Sequence, residues 1–311
     1  MSIEKTPIQK LKPFNNNELY IKRDDLIPFS FGGNKARKAE LFFEEIDAGN
    51  FDCVVTYGSS SSNHCRIISN LAASRGMMCY IISPQESSQP TFNSKLMRVF
   101  GAEITVVPVS EVHQTIENLL ADLTAKGCVP YFIPGGGHGN TGTQAYVNCY
   151  NEIREYELQN NIYFDYIFHA SGTGTTQAGL VCGQLINGDK RKIVGISIAR
   201  PNPRGRQVVI DSINDYLSEN GFYISSEQIE AATVFDDSFI GNGYGDSDSG
   251  EFIKKFFIDY GIPLDSTYTG KAFKGTEEYI RINNLCDSNI LFIHTGGTPL
   301  FFDCLNQVKD V

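Results

Sequence analysis

Short apolar runs alternate with amphipathic segments along most of this chain. The run at residues 52–57 ends at Gly58. Beyond it, Ile68, Leu71 and Ala72 recur at helical spacing and share one face. This succession predicts a buried strand, a tight turn and a helix that covers the strand.

The same succession recurs several times along the chain. Further apolar runs of strand length lie at residues 18–22, 78–82, 104–107, 131–133, 166–168, 193–196 and 290–293. Continuously apolar strands that alternate with helices are typical of parallel sheets with both faces covered. We therefore expect an α/β fold with largely parallel sheets. No repeat, charge block or low-complexity linker marks a domain boundary.

The composition is ordinary for a globular protein, with 41% apolar and 20% charged residues among 311. No signal-peptide pattern or apolar run of membrane length is evident, so we expect a cytoplasmic protein that makes no membrane contact. The net charge of −10 argues against nucleic acid as a partner, because phosphate backbones are bound by clustered Lys and Arg. The eight cysteines are widely scattered, which favours buried thiols over a metal site or disulfides.

One lysine stands at the predicted start of a helix. Asn34 is a favourable N-cap residue, and Phe42 and Ile46 follow at helical spacing. Lys35 then falls in the first turn, where the helix dipole disfavours an ammonium and lowers its pKa. A neutral amine is the form that attacks a carbonyl group. The alternative is that residues 35–38 are only an exposed basic cluster.

A turn rich in glycine and hydroxyl residues follows the strand at residues 166–168. Glycines let a backbone approach an anion closely, hydroxyls add donors, and the first N–H groups of a helix face the anion. The turn therefore predicts a phosphate site, in preference to a plain strand-to-helix turn. We expect helix dipole and hydroxyls alone to meet the negative charge. The members of this phosphate turn are Ser171, Gly172, Thr173, Gly174, Thr175 and Thr176.

A second glycine-rich turn, at residues 137–142, matches the pattern Gly-x-Gly-x-x-Gly. The dinucleotide fingerprint also requires a following strand that ends in an acidic residue, whereas residues 144–159 predict a polar helix. We interpret the turn as lining the site. A nicotinamide-dependent oxidoreductase is the alternative that it would support.

Other polar groups lie where loops meet the predicted sheets. Ser62 and Asn63 close a serine-rich turn before a helix, where they could bind a substrate carboxylate or only cap the helix. Tyr244 and Tyr268 stand in Gly-flanked loops. Thr295 follows the last buried strand, at the edge where open α/β sheets bind ligands.

Taken together, these motifs resemble the D-cysteine desulfhydrase and 1-aminocyclopropane-1-carboxylate (ACC) deaminase family. The resemblance runs from about Tyr20 to Phe302. In order, it comprises Ile-Lys-Arg-Asp-Asp-Leu at 21–26, Phe-Gly-Gly-Asn-Lys-Ala-Arg-Lys at 31–38, Ser-Asn-His-Cys-Arg at 62–66, the phosphate turn, Leu-Asp…Tyr-Thr-Gly-Lys at 264–271 and His-Thr-Gly-Gly at 294–297.

The resemblance implies pyridoxal 5′-phosphate (PLP) as cofactor, a small amino acid as substrate and a homodimer as assembly. The implied fold is the two-domain, tryptophan-synthase-β-like fold, known as fold type II. A smaller domain at residues 47–158 would be inserted into a larger domain, formed by residues 1–46 and 159–311, that binds the PLP phosphate.

The resemblance also implies roles for single residues. Lys35 would hold PLP as its Schiff-base lysine and take part in catalysis, and the phosphate turn would bind the cofactor's phosphate. Asn63 would contact the ring hydroxyl or the substrate carboxylate, and Thr295 would approach the pyridine nitrogen. The residues expected at the substrate are Ser62, Asn63, His64, Tyr244 and Tyr268, of which Ser62, Tyr244 and Tyr268 would also be catalytic.

One position bears on the reaction. ACC deaminases of this family carry a glutamate after the second tyrosine, where this chain has Thr269 as the cofactor contact. A carboxylate there keeps the pyridine nitrogen protonated and the ring a strong electron sink, which a hydroxyl cannot do. A weaker sink suits β-elimination better than the opening of a cyclopropane. Thr269 therefore favours a desulfhydrase-like lyase that converts D-cysteine to pyruvate, sulfide and ammonia.

Other functions stay open on the sequence alone. They are an ACC deaminase, a PLP-dependent β-replacement synthase and a noncatalytic PLP-binding protein. Two departures from the family pattern also leave the substrate open. Residues 59–61 are all serine, where the family usually has Gly-Ile-Gln, and residues 134–140 replace a Gly-Ser-Asn-Pro-like loop.

Overall fold

The computed structural model describes residues 3–241, 243–244 and 249–305, so the two extreme ends of the predicted larger domain lie outside the described residues. The strands are β1 (Ile8–Lys10), β2 (Glu18–Lys22), β3 (Cys53–Tyr57), β4 (Met78–Pro84), β5 (Glu103–Val107), β6 (Pro130–Phe132), β7 (Tyr166–Ser171), β8 (Lys192–Ser197), β9 (Thr233–Asp236) and β10 (Asn289–Ile293). The helices are α1 (Asn34–Ala48), α2 (Asn63–Ala73), α3 (Phe92–Val99), α4 (Val112–Ala125), α5 (Asn140–Asn160), α6 (Thr175–Asn187), α7 (Arg204–Glu219), α8 (Ser226–Ala232), α9 (Gly250–Tyr260), α10 (Thr269–Ile282) and α11 (Thr298–Leu305).

The strands form two sheets. One has the order β5-β4-β3-β6 and is entirely parallel, and the other has the order β1-β2-β10-β7-β8-β9, in which only β1 and β2 pair antiparallel. The predicted α/β fold with largely parallel sheets is confirmed. Burial explains the continuous apolar runs, because Ile167 packs in the cluster on one face of the larger sheet and Phe168 in the cluster on the other.

The four-stranded sheet lies within the predicted inserted domain. The last helix of that segment, α5, packs elsewhere: Tyr146, Tyr150 and Ile153 are buried in the same cluster as Val181 and Ile193, beside the six-stranded sheet. Helix α5 therefore belongs to the predicted inserted segment by sequence but packs beside the six-stranded sheet. The domain limits at residues 47 and 158 stay a prediction.

The start of α1 differs from the sequence-based expectation. Gly33, with φ +99°, occupies the N-cap position, and Asn34 is already the first helical residue. The prediction of Asn34 as the N-cap is therefore wrong. Its amide instead donates to the hydroxyl of Thr176 at 3.1 Å. The helix ends at Ala48, and Gly49 is its C-cap.

A buried ion network lies behind this helix start. Arg37 Nε donates to Asp24 Oδ2 at 2.8 Å, and Arg37 Nη1 donates to Glu152 Oε1 at 2.6 Å. Lys22 Nζ reaches Glu152 Oε2 at 2.8 Å. Burial alone raises the pKa of Asp24, but the charges of Arg37 and Lys22 outweigh it and lower that pKa to about 2. The network joins β2, α1 and α5.

The interpretation of the cysteines as buried thiols is correct for five of the eight. Cys53, Cys65, Cys79, Cys149 and Cys182 are buried, whereas Cys128 and Cys304 are partly exposed and Cys286 is exposed. No helix among the described residues combines the length and the apolar character needed to cross a membrane.

We predict that Arg37→Met strongly destabilises the fold, because it leaves the buried Asp24 carboxylate and the partly buried Glu152 carboxylate with less countercharge. The free energy of unfolding in urea should fall by about 3–5 kcal/mol. Lys255→Met, which breaks an exposed ion pair with Asp259, is the matched control and should unfold as the wild type does. Equal urea midpoints for all three proteins would contradict the importance of the network.

Candidate active site

Lys35 lies in the first turn of α1, as predicted. Its Nζ donates to the carbonyl oxygen of Gly136 at 3.0 Å, directly before the glycine-rich turn at residues 137–142 that was expected to line the site. Burial, reinforced by the nearby charge of Arg200, lowers the pKa of Lys35 to about 8. The lowered pKa agrees with the sequence analysis, although burial rather than the helix dipole leads its causes. A substantial fraction of the amine is therefore neutral near neutral pH.

The phosphate turn joins β7 to α6, in the strand-turn-helix arrangement that the sequence predicts. Gly174 is the N-cap of α6 with φ +102°, a conformation that favours glycine. The turn packs against Gly136, whose carbonyl accepts from Lys35. A Cβ at Gly136 would lie 2.6 Å from the methyl carbon of Thr173. The first N–H groups of α6 have no acceptor within the helix and are available to an anion.

A second lysine stands at this turn. Lys38 is buried, and its Nζ donates to Thr175 Oγ1 at 2.6 Å. The expectation that dipoles and hydroxyls alone would meet a phosphate is therefore wrong. Burial and the charge of Lys35 lower the pKa of Lys38 well below its usual value. The sequence did carry a signal for the position of Lys38. It follows Lys35 by three residues, and residues i and i+3 share one face of a helix.

Ser62 and Asn63 occupy the start of α2. Ser62 Oγ accepts the N–H of Cys65 at 3.1 Å and is the N-cap. Asn63 Oδ1 accepts from Asn93 Nδ2 at 2.9 Å and from Arg66 Nη2 at 3.4 Å. A guanidinium only donates, so the amide of Asn63 must turn its oxygen toward Arg66. Its N–H₂ group has no partner among the described residues and is available to a ligand.

This helix start lies near the reactive lysine. The thiol of Cys65 is close enough to influence the pKa of both Lys35 and Tyr268. The structure thereby brings together the α1 start, the α2 start and the α10 start, which are far apart in the sequence.

A hydrogen bond from Nε2 to Thr56 fixes the imidazole of His64. Thr56 Oγ1 donates its hydrogen to the carbonyl of Ile133 at 2.8 Å, so it accepts the hydrogen of His64 Nε2 at 2.9 Å. His64 Nδ1 is then unprotonated and has no partner among the described residues. Burial lowers the pKa of His64 well below its usual value and keeps the imidazole neutral. Contact of His64 with a substrate stays a prediction.

The two predicted tyrosines meet. The ring centroids of Tyr244 and Tyr268 lie 6.4 Å apart with an interplanar angle of 63°. Tyr268 directly precedes α10. A Cβ at Gly172 would lie 3.7 Å from the hydroxyl of Tyr244, so this tyrosine faces the phosphate turn. Burial raises the pKa of Tyr268 far above its usual value, which leaves a protonated phenol.

The two candidate threonines differ in their contacts. Thr269 Oγ1 donates to Asp265 Oδ2 at 2.7 Å and accepts the N–H of Asp265 at 2.9 Å. Its single hydroxyl hydrogen is therefore committed to the protein. The hydroxyl of Thr295 has no partner among the described residues, and Thr295 lies where the backbones of β10 and α1 meet. Of the two, Thr295 can donate to a pyridine nitrogen.

Sequence reasoning assigned no role to two further residues near the site, Arg200 and His138. Arg200 donates to the carbonyl of Thr173 at 3.4 Å, and its charge lowers the pKa of both Lys35 and His138. Burial is the leading cause of the lowered pKa of His138. His138 lies in the turn at residues 137–142, whereas Arg200 belongs to no recognised motif, and only the fold shows that Arg200 borders the phosphate turn. The site therefore carries an excess of positive charge suited to anionic ligands.

These residues fit PLP. A partly neutral amine at Lys35 suits its aldehyde, and the phosphate turn with buried Lys38 suits its phosphate. Asn63 offers N–H donors to a ring oxygen, and Thr295 offers a hydroxyl to the ring nitrogen. No group of His, Cys, Asp and Glu side chains that could hold a metal ion occurs in the described part of the chain.

Comparison with known proteins agrees with this geometry. The family model described as pyridoxal-phosphate dependent enzyme matches residues 1–296. A D-cysteine desulfhydrase of Serratia proteamaculans is 31% identical over 97% of this chain and 94% of its own length, and one of Yersinia enterocolitica is 32% identical over the same shares. A crystal structure of an ACC deaminase homologue superposes with a TM-score of 0.87 at 30% identity, over 98% of this chain and 94% of the other.

The chain thus belongs to the pyridoxal-phosphate dependent enzymes. It has the type II fold of that family, and PLP is its cofactor. The family assignment replaces the nicotinamide-dependent alternative for residues 137–142. That segment directly follows Gly136, whose carbonyl accepts from Lys35, and it contains the start of α5.

We predict that Lys38→Met weakens PLP binding by about 10- to 100-fold, because it removes a charged hydrogen-bond donor beside the phosphate turn. Titration of the apoprotein, followed by its visible absorbance, measures the dissociation constant. Pyridoxal, which lacks the phosphate, is the matched control ligand and should bind both proteins equally. An equal loss for PLP and pyridoxal would instead indicate a general distortion of the site.

Proposed function

We propose that this protein catalyses α,β-elimination from a small amino acid and converts D-cysteine to pyruvate, sulfide and ammonia. The observation that carries the proposal is that Lys35 is a partly neutral amine, while Asp265 holds the hydroxyl of Thr269 and leaves the uncharged Thr295 as the group able to donate to the pyridine nitrogen. Similarity to D-cysteine desulfhydrases over nearly the full length supports it.

The first step is removal of the α-proton. PLP, when bound, supplies an electron sink for the negative charge that this step develops. Lys35 Nζ is the proposed base, because burial makes its unprotonated form accessible near neutral pH. The carbonyl of Gly136 holds Nζ in place at 3.0 Å. Lys38, three residues further along α1, stays committed to Thr175.

The start of α2 orients the substrate. We assign the substrate carboxylate to the first turn of α2, where Ser62 supplies a hydroxyl and the unpartnered backbone N–H groups supply further donors. Asn63 directs its N–H₂ group toward the same carboxylate, because Arg66 and Asn93 hold its oxygen on the other side. This arrangement distinguishes the carboxylate end of the substrate from its side chain.

Tyr268 is the proposed acid. Its phenol remains protonated because burial raises its pKa, so it can give its hydrogen to the departing sulfur atom. Tyr244 packs edge-on against Tyr268 and covers that side of its ring. A protonated leaving group departs more easily, and this favours elimination.

The residue beside the pyridine nitrogen sets the strength of the electron sink. Thr295 is the proposed partner of the pyridine nitrogen, and Thr269 holds Asp265 rather than the ring. Both groups are uncharged, so neither forces a proton onto that nitrogen. A weak sink suits loss of a β-substituent more than ring opening. An ACC deaminase is the second candidate, favoured by the likeness to the solved ACC deaminase homologue.

A substrate screen tests the proposed reaction. Holoenzyme is incubated with D-cysteine, L-cysteine, β-chloro-D-alanine and ACC, and the 2-oxo acids, sulfide and any new amino acids are measured. We expect pyruvate and sulfide from D-cysteine, and none from Lys35→Ala. Predominant 2-oxobutyrate from ACC would contradict the elimination reaction, and a new amino acid on addition of thiols would indicate β-replacement.

We also propose that the protein is a cytoplasmic homodimer, as the family resemblance implies. Light scattering coupled to size-exclusion chromatography measures the molar mass in solution. A mass of twice 34.5 kDa is expected. A monomer with full activity would contradict the dimer.

The pKa of Lys35 makes a prediction about pH. The amine is protonated below about 8 and neutral above it, so the rate of PLP capture by the apoprotein should rise with pH and level off above about 8. Stopped-flow absorbance at several pH values measures this rate. A rate that still climbs steeply toward the ordinary lysine value of 10.5 would show that burial does not lower the pKa.

A further inference from the structure

Lys271 is a buried lysine in the first turn of α10, three residues after Tyr268. Its Nζ donates to the backbone carbonyl oxygens of Ile198 at 3.1 Å, Ile240 at 2.8 Å and Gly243. Ile198 directly follows β8, and Ile240 and Gly243 lie just before Tyr244 in the chain. One ammonium thus joins two parts of the chain through their carbonyl oxygens.

We propose that Lys271 is a positioning residue, a tethered monovalent cation that holds the segment before Tyr244 against the end of β8. We further propose that a free cation of similar size can replace its ammonium group when the side chain is truncated. The first claim follows from the three contacts, and the second follows from their chemistry.

Backbone carbonyl oxygens that converge on one point are ligands for potassium and ammonium ions. Gly243 has φ +63°, a left-handed conformation, and its carbonyl is one of the three that converge on Nζ. The helix supplies a further argument. A positive charge in the first turn of a helix is disfavoured by the helix dipole, so the carbonyl oxygens must offset that cost as well as the burial of the ammonium.

The position of the anchored segment gives the contacts a consequence at the site. Tyr244 follows Gly243 directly, packs against Tyr268 and faces Gly172 of the phosphate turn. A loss of the anchor should therefore displace Tyr244 without removing any group that touches the cofactor. The effect that this displacement should have on catalysis rests on the proposed function, whereas the cation site itself does not.

The test truncates Lys271 to alanine and supplies cations from solution. The melting temperature of the apoprotein and hydrogen exchange of residues 237–241 are measured in potassium, ammonium or methylammonium chloride. Tetramethylammonium chloride, whose cation is too large for three converging carbonyl oxygens, keeps the ionic strength equal. Lys271→Met fills the cation space with an uncharged chain, and Lys255→Ala removes an exposed lysine as the control.

We expect Lys271→Ala to exchange faster at residues 237–241 and to regain slow exchange and a higher melting temperature as one of the small cations saturates it. Lys271→Met should lose protection without regaining it, and Lys255→Ala should match the wild type. In the holoenzyme, Lys271→Ala should lose about tenfold or more in kcat/KM for D-cysteine, with recovery by the same cation.

The proposal is overturned if Lys271→Ala keeps the wild-type exchange at residues 237–241, or if none of the small cations changes its exchange or melting temperature relative to tetramethylammonium. Because exchange and melting need neither PLP nor substrate, they separate this proposal from the proposed function. Restored protection without activity on D-cysteine would support the anchor and contradict the assigned substrate.

Discussion

The site depends on the close approach of two backbones, at the start of α1 and the end of β10. The N–H of Asn34 donates to the carbonyl of Thr295 at 3.0 Å, and a Cβ at Gly33 would lie only 2.7 Å from that oxygen. A Cβ at Gly296 would lie 2.7 Å from the Cα atom of Gly33. Glycine is therefore required on both sides. This contact fixes where Lys35 begins its helix and places it beside the sheet edge at which ligands bind.

Charge is arranged differently on the two sides of α1. On one side, Arg37 is compensated by Asp24 and Glu152, which makes a rigid and neutralised support. On the other side, Lys35 and Lys38 face the phosphate turn, and burial lowers the pKa of both. One helix thus carries both the anchor and the reactive face. Bound anionic groups of cofactor and substrate would complete the charge balance that the second side lacks.

Much of this architecture could be predicted from the sequence. Apolar runs predicted nearly every strand of the two sheets, because strands buried on both faces leave a simple local signal. The roles of Asn34 and Thr269 could not be predicted, since their hydrogen bonds go to Thr176 and Asp265 in ways that local pattern does not specify. Arg200 could not be found either, because it reaches the phosphate turn only after β8 pairs with β7. Contacts between distant segments decide such roles, and these contacts exist only in the folded chain.

The central claim is that Lys35 carries the cofactor in a site where several lysines are buried. The most direct measurement is reduction of the holoenzyme with borohydride, followed by proteolysis and mass spectrometry of the peptides. Reduction makes the bond between cofactor and lysine permanent, so the labelled residue can be read from the fragments. The account predicts one phosphopyridoxyl group, on Lys35. A label on Lys38 or Lys271, or no label on a protein that is saturated with PLP, would contradict it.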